Sequence, residues 1–129
     1  MKYYYERKLI HISFEEAIEK TVAALQKEGF GVLTEIDIKA TMKKKLDVDF
    51  YNYKIFGACN PEFAYKALQA ENKIGTLLPC NVIVQEKEKG IIEVAAINPM
   101  VSMQAVQNSE ILDVAEAVGL KLESVIKIL

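Results

Sequence analysis

Histidine is nearly absent from this 129-residue sequence, which has only His11. Zinc sites in proteins are commonly built from several histidines and cysteines. The two cysteines, Cys59 and Cys80, do not stand at the spacing of a known zinc module, either alone or with His11. The sequence therefore excludes a zinc site built from several histidines. It leaves Cys59, Cys80 and His11 as a set of three ligands at best.

Long apolar runs are also missing. No stretch reaches the ~18 residues that are needed to span a bilayer, and residues 1–8 (MKYYYERK) lack the apolar core of a signal peptide. We therefore expect a cytoplasmic protein with no membrane partner. In that compartment the two cysteines should be reduced thiols rather than a structural disulfide.

An excess of positive charge is absent as well, because the formal net charge is −2. General nucleic-acid binding requires a basic surface. Four lysines stand between positions 39 and 45, but Asp47 and Asp49 follow them. We interpret this cluster as a solvated helix face rather than an anion site, and we expect no nucleic-acid partner.

Common catalytic motifs are missing too. The sequence has no phosphate loop, no Gly-x-Ser-x-Gly, no His-Glu-x-x-His and no Cys-x-x-Cys. It identifies no cofactor, and it leaves open whether the protein is an enzyme.

Apolar residues are abundant, at 51% of the chain, which argues against extensive disorder. A chain of this length is expected to form one domain, over residues 1–129, with one good core. The alternation of apolar residues predicts about five strands and the helices that pack on them. Residues 80–87 and 91–97 are expected to form an antiparallel hairpin, while the second strand runs either parallel or antiparallel beside the first. The predicted element order is β-α-β-(α)-β-α-β-β-α. The predicted strands cover residues 3–10, 31–36, 53–59, 80–87 and 91–97, and the predicted helices cover residues 14–28, 38–46, 62–71 and 110–129.

Local residue choices predict several features of these elements. Ser13, Asp37, Asn60 and Ser109 are expected to cap the four helices. The last strand, residues 91–97, is nearly all apolar, so we expect it to be covered on both faces. Its exception is Glu93, which is either a functional carboxylate or an edge-facing residue.

The chain is organised around the segment from Tyr53 to Val84, which holds both cysteines. The strand that ends at Cys59 is followed by Asn60-Pro61 and then by a helix. A thiol just before a helix N-terminus has a lowered pKa, and the site favours anions. The alternative is that Cys59 is a small buried apolar residue that fills the corner.

The second cysteine repeats this pattern, because Cys80-Asn81 follows Pro79 and leads into another strand. If that strand pairs beside the one that ends at Cys59, the two thiols approach each other, although sequence alone does not establish bridging geometry. Tyr53, in the same region, is interpreted either as a pocket wall or as cross-strand packing. The candidate ligand-binding residues are Cys59, Asn60, Cys80, Asn81 and Tyr53, and the candidate metal ligands are Cys59 and Cys80.

Three segments carry a resemblance to a known family: residues 56–61 (FGACNP), 64–68 (AYKAL) and 77–84 (LLPCNVIV). The sequence resembles the domain of unknown function 302 family along nearly its whole length. The resemblance implies a small α+β domain, an antiparallel sheet with helices packed on it, and a homodimer, but no established activity. Members of that family often have Asp before the proline after the last strand, where this sequence has Asn98-Pro99.

Three functions therefore remain open. The first is a dimeric domain that binds a small ligand or a soft metal near the two Cys-Asn corners. The second is a thiol-dependent enzyme or redox sensor that uses Cys59 or Cys80. The third is a structural or interaction module.

Overall fold

The computed structural model describes residues 2–129. It confirms an α+β fold in which five strands form one antiparallel sheet. The strands are β1 (Tyr4–Ile10), β2 (Gly31–Asp37), β3 (Asn52–Cys59), β4 (Cys80–Glu88) and β5 (Ile91–Ile97). The helices are α1 (Phe14–Lys27), α2 (Ile38–Leu46), α3 (Pro61–Ala70), α4 (Pro99–Ser102) and α5 (Ser109–Lys127), and a 3-10 helix covers Ile74–Leu77.

The strand order across the sheet is β1-β5-β4-β3-β2, and every neighbouring pair is antiparallel. The first strand therefore lies at one edge and pairs with the last, with Tyr4 opposite Ile97. In the middle of the sheet, Ala58 of β3 lies opposite Cys80 of β4. This pairing brings the ends of the two cysteine-containing segments together.

The main core lies on one face of the sheet, beneath α1 and α5. It contains the fully buried sheet residues Val82, Val84, Ile92 and Val94, against which Leu122 and its neighbours in α5 pack. A second cluster of buried side chains lies between α3, the 3-10 helix and α5. The apolar stripe of α5 thus packs against the sheet and the neighbouring helices, as expected for a helix that is stabilised by tertiary packing.

The other face of the sheet is only partly covered. Along β5, Ile92, Val94 and Ala96 are buried, while Glu93 and Ala95 between them are half-buried. The prediction that this strand is covered on both faces is therefore wrong for residues 2–129. Successive residues of the strand face opposite sides of the sheet, and only one of those sides carries the helical layer.

The helix caps follow the predictions in part. Ser13 and Asp37 accept hydrogen bonds from backbone N–H groups of α1 and α2, as predicted. Asn60 occupies the N-cap position of α3, but its side chain makes no capping bond there. The cap of α5 is Asn108 rather than Ser109, because the Asn108 Oδ1 accepts from the Glu110 N–H at 3.0 Å.

Asn98, where the resemblance leads to an expected Asp, uses both ends of its amide. Its Oδ1 accepts from the Met100 N–H at 3.1 Å, and its Nδ2 donates to the Lys2 carbonyl at 3.3 Å. An ionised aspartate has only acceptor oxygens and could not donate the bond to the Lys2 carbonyl. Asparagine here therefore ties the start of α4 to the segment before β1.

Among residues 2–129 no helix is both long enough and apolar enough to cross a membrane.

Candidate functional site

An apolar cavity of about 270 Å³ lies where β3 and β4 meet α3 and α5. Both Cys59 and Cys80 line it, and so does Asn60. The remaining lining side chains are apolar: Phe30, Leu33, Ala58, Phe63, Ala64, Ala67, Leu68, Leu78, Pro79, Pro99, Met103, Val114, Ala115 and Val118. We call this space the thiol cavity.

Strand pairing brings the two cysteines to the same end of the sheet. Cys59 is the last residue of β3, and Cys80 is the first residue of β4. Because Ala58 lies directly opposite Cys80 in the antiparallel pair, Cys59 is displaced from it by one residue. The chain reaches Cys80 through a cis peptide bond between Leu78 and Pro79.

Small side chains provide the space. Ala64 and Ala67 of α3 are three residues apart and share a helix face, and Ala115 of α5 and Ala58 of β3 also line the cavity. Where alanines line facing elements, the side chains leave a gap that a larger residue would fill. The chain therefore holds a cavity at this corner rather than a fully packed core.

The mouth of the thiol cavity is apolar as well. Leu33 and Leu68 line it with 66% and 43% of their surfaces exposed, while Cys59 and Asn60 are half-buried. Large exposed apolar side chains beside an apolar opening favour the entry of an apolar molecule, because both surfaces leave water when they meet.

The two thiols are free and differ in their surroundings. Cys80 is 8% exposed, and burial, followed by the nearby Cys59, raises the pKa of its thiol to about 11. At neutral pH the Cys80 thiol is therefore protonated and is a poor nucleophile. Cys59 is the more accessible of the two.

Asn60 is the single polar side chain of the lining that is not a thiol. Its Nδ2 donates to the carbonyl of Glu28, just past the end of α1, at 3.3 Å. The side chain thus links the end of α1 to the start of α3, and the first turn of α3 keeps its N–H groups free of a side-chain cap. Those groups carry the positive end of the helix dipole beside Cys59.

The predicted site residues do not all lie together. Asn81 and Tyr53 line a different concavity, on the opposite face of the sheet. Asn81 is adjacent to Cys80 in β4, and successive residues of a strand face opposite sides. The structure thus groups Cys59, Asn60 and Cys80 in one place, and Asn81 and Tyr53 in another.

His11 lies far from the two thiols. It follows Ile10, which pairs with Ile91 at the start of β5. The thiol cavity lies at the other end of that strand, beyond Ile97. Among residues 2–129 no group of three or more His, Cys, Asp or Glu side chains is arranged to hold a metal ion. Cys59 and Cys80 are therefore two candidate ligands without a third of these types.

The sequence interpretation missed the helical wall of the cavity, which includes Met103, Val114 and Ala115. These residues lie far from the cysteines in the chain. The one available signal was the run of small residues at helical spacing in α3 and α5, which is typical of close helix packing and also of a lined cavity.

The comparisons with known proteins agree with this geometry at the level of the fold. Residues 5–129 match the family described as Domain of unknown function DUF302. The chain belongs to the DUF302 family. A crystal structure of an uncharacterized conserved DUF302 protein from Bacillus stearothermophilus superposes with a TM-score of 0.88, with 98% of each chain covered and 23% sequence identity. At that identity the likeness shows the fold alone.

A relative in Aquifex aeolicus (strain VF5), described as an uncharacterized protein, is 30% identical over 97 residues. The matched region is 75% of this DUF302 chain and 61% of the Aquifex protein. The chain thus spans less than two thirds of the length of that relative.

Proposed function

We propose that this DUF302 protein is a binding protein whose ligand is a compact apolar molecule held in the thiol cavity. The observation that carries the proposal is the cavity itself, with a volume of about 270 Å³ and an almost wholly apolar wall. An engineered apolar cavity of ~150 Å³ in another protein is large enough to bind benzene. The thiol cavity therefore has room for a molecule of about the size of a substituted benzene or an indole.

The chemistry of the wall favours a ring. Met103 and Cys80 place sulfur atoms on the lining, and Phe30 and Phe63 contribute aromatic rings. Aromatic–aromatic pairs contribute roughly 0.5–1.5 kcal/mol beyond area burial, and sulfur–aromatic contacts contribute roughly 0.3–1.5 kcal/mol. Because the Cys80 thiol is neutral, an uncharged ligand avoids the cost of burying a charge beside it.

The alternatives rest on fewer observations. A thiol-dependent enzyme or redox sensor would have to use Cys59, since the pKa of Cys80 is about 11, and no histidine lies near either thiol to activate it. A soft metal would be held by Cys59 and Cys80 as two thiolates. The single domain over residues 1–129 and the homodimer are predictions that the sequence analysis made, and we keep both.

Titration with indole tests the proposal, followed by methyl NMR of Val114, Val118 and Leu78 and by the melting temperature. We expect saturable shifts of these methyl groups and a rise in melting temperature, because a ligand that binds only the folded state stabilises it. Unchanged methyl shifts at saturating indole would refute the proposal.

Blocking variants sharpen this test. Ala67→Leu and Ala64→Leu each add the same volume to the cavity wall, and both should reduce indole binding at least tenfold. Ala40→Leu on the exposed surface of α2 is the matched control and should bind indole as the unmodified protein does. If Ala67→Leu unfolds, Ala64→Leu at the half-buried position still decides the result, because it has more room to adjust.

A further inference from the structure

A second concavity, of about 360 Å³, lies on the open face of the sheet. Tyr4 and Tyr53 line it, and Ile83 of β4 and Ala95 of β5 form its apolar floor. The sheet separates this groove from the thiol cavity, since Asn81 lines one and its neighbour Cys80 lines the other. We call this concavity the tyrosine groove.

Two carboxylates face into the tyrosine groove. Glu93 projects from the middle of β5, and Glu6 projects from β1 with Ala95 opposite it. Among residues 2–129 four ion pairs form, and neither carboxylate takes part in any of them. Glu93 is half-buried and Glu6 is exposed. A cation bound in the groove would give both carboxylates a partner of opposite charge.

Lys8 lies directly opposite Glu93 in the pairing of β1 with β5. Cross-strand neighbours of opposite charge commonly pair, yet no ion pair of 4.0 Å or less joins these two side chains. Lys8 is thus in register with Glu93 but forms no ion pair with it, and the Glu93 side chain lines the groove.

The aromatic rings suit a cation that carries apolar groups. Tyrosine faces attract cations that lie within about 6 Å of the ring centroid, and the Lys2 ammonium already lies 5.4 Å from the centroid of the Tyr4 ring. Burial, followed by Tyr51 and Tyr3, raises the pKa of Tyr53. Its phenol is therefore uncharged at neutral pH, with an apolar ring beside the floor of the groove.

We infer that the tyrosine groove binds a small organic cation, an ammonium group with apolar substituents. The charge lies between Glu93 and Glu6, and the apolar groups contact Tyr53 and Ile83. A metal ion would leave the tyrosine faces and the apolar floor unused, and a neutral apolar molecule would leave both carboxylates unpaired. This inference is independent of the apolar ligand proposed for the thiol cavity.

Choline and its neutral isostere 3,3-dimethylbutan-1-ol, which has a carbon in place of the nitrogen, test the inference by backbone amide NMR. We expect saturable shifts at groove residues of β3, β4 and β5 with choline, and binding at least tenfold weaker with the neutral alcohol. Added salt should weaken choline binding, because it screens the carboxylates. Equal binding of the two probes, or no shifts with choline, would overturn the inference.

Variants assign the effect to the groove. Glu93→Gln preserves size and should weaken choline binding at least fivefold, whereas Glu19→Gln removes the same charge from the exposed side of α1 and should leave it unchanged. Tyr53→Leu should weaken choline binding, whereas Tyr53→Phe, which keeps the ring, should bind choline as the unmodified protein does. Wild-type affinity in Glu93→Gln would contradict the assignment.

Two further measurements distinguish cation binding in the tyrosine groove from binding in the thiol cavity and from dimer formation. Ala67→Leu, which blocks the thiol cavity, should bind choline normally, so failure of one proposal does not imply failure of the other. If Tyr53→Leu converts a dimer into a monomer while choline shifts nothing, a second copy occupies the open face and the inference is wrong.

Discussion

At the residue scale, the Cys80 thiol makes stability depend on alkaline pH. Its pKa in the folded protein is about 11, above the ordinary value near 9. The stabilisation is therefore fully present below the unfolded pKa and is lost as pH rises from about 9 to 11, because the unfolded chain releases its thiol proton first. The loss is on the order of 2–3 kcal/mol.

Cys80→Ala isolates this contribution from the tyrosines that also titrate at high pH. Urea unfolding at pH 7, 9 and 10.5 should show the free-energy difference between the original protein and the variant shrinking as pH rises. A difference that stays constant over this range would show that Cys80 ionises equally in both states.

Gly57 is a position where a side chain cannot be accommodated. A Cβ atom built there would lie 2.6 Å from Pro79 Cγ and nearer still to Thr34 Oγ1. The proline ring cannot turn aside, so Gly57→Ala should destabilise the protein by about 1–3 kcal/mol. Gly31→Ala in β2 is the matched control, since nothing lies within 4 Å of its added methyl group. Equal midpoints for the two variants in urea unfolding would contradict this prediction.

At the scale of elements, the start of α5 depends on Asn108. Its Oδ1 caps the Glu110 N–H, and its Nδ2 donates to the Ala70 carbonyl at 3.0 Å, at the end of α3. Asn108→Ala should therefore cost about 1–2 kcal/mol, since both a cap and an interhelical hydrogen bond are lost. Ser109→Ala should change the free energy of unfolding by less than about 0.5 kcal/mol. Thermal or urea unfolding that reverses this order would restore Ser109 as the cap.

The sequence could not separate these two caps, because asparagine and serine are nearly equivalent at the N-cap position. The contact that distinguishes them, from Asn108 to Ala70, joins residues far apart in the chain. Asn60 shows the converse: the helix starts where its Asn-Pro pair predicts, but the side chain turns to the Glu28 carbonyl instead. Local chemistry thus predicts where a helix begins better than it predicts what the capping side chain contacts.

At the scale of the whole molecule, the alternation of apolar residues was enough to predict the element order, and the family resemblance supplied the antiparallel α+β fold. The position of Asn81 was also within reach, because adjacent residues of a strand face opposite sides, so Cys80 and Asn81 belong to different surfaces. The helical wall of the thiol cavity was not predictable, because the packing of α5 against the ends of β3 and β4 is set by tertiary contacts. The strand order was not predictable either, because it depends on pairing between strands that are far apart in the chain.

The homodimer is a prediction about the whole molecule. We expect light scattering at micromolar concentration to give twice the 14.5 kDa mass of one chain. Leu120 and Ile128, near the end of α5, are 60% and 52% exposed, and exposed apolar area commonly marks an association surface. A molar mass that stays at 14.5 kDa as the concentration rises would contradict the prediction.

The pairing of β1 with β5 also has a consequence during translation. Ile10 and Ile91 are partners, so the N-terminal strand leaves the ribosome long before the strand that it needs. At ~5–20 residues per second, roughly eighty intervening residues take several seconds to synthesise. During that interval the tyrosine-rich segment 3–10 has no native strand partner, so its backbone hydrogen-bonding groups wait for β5 to be synthesised.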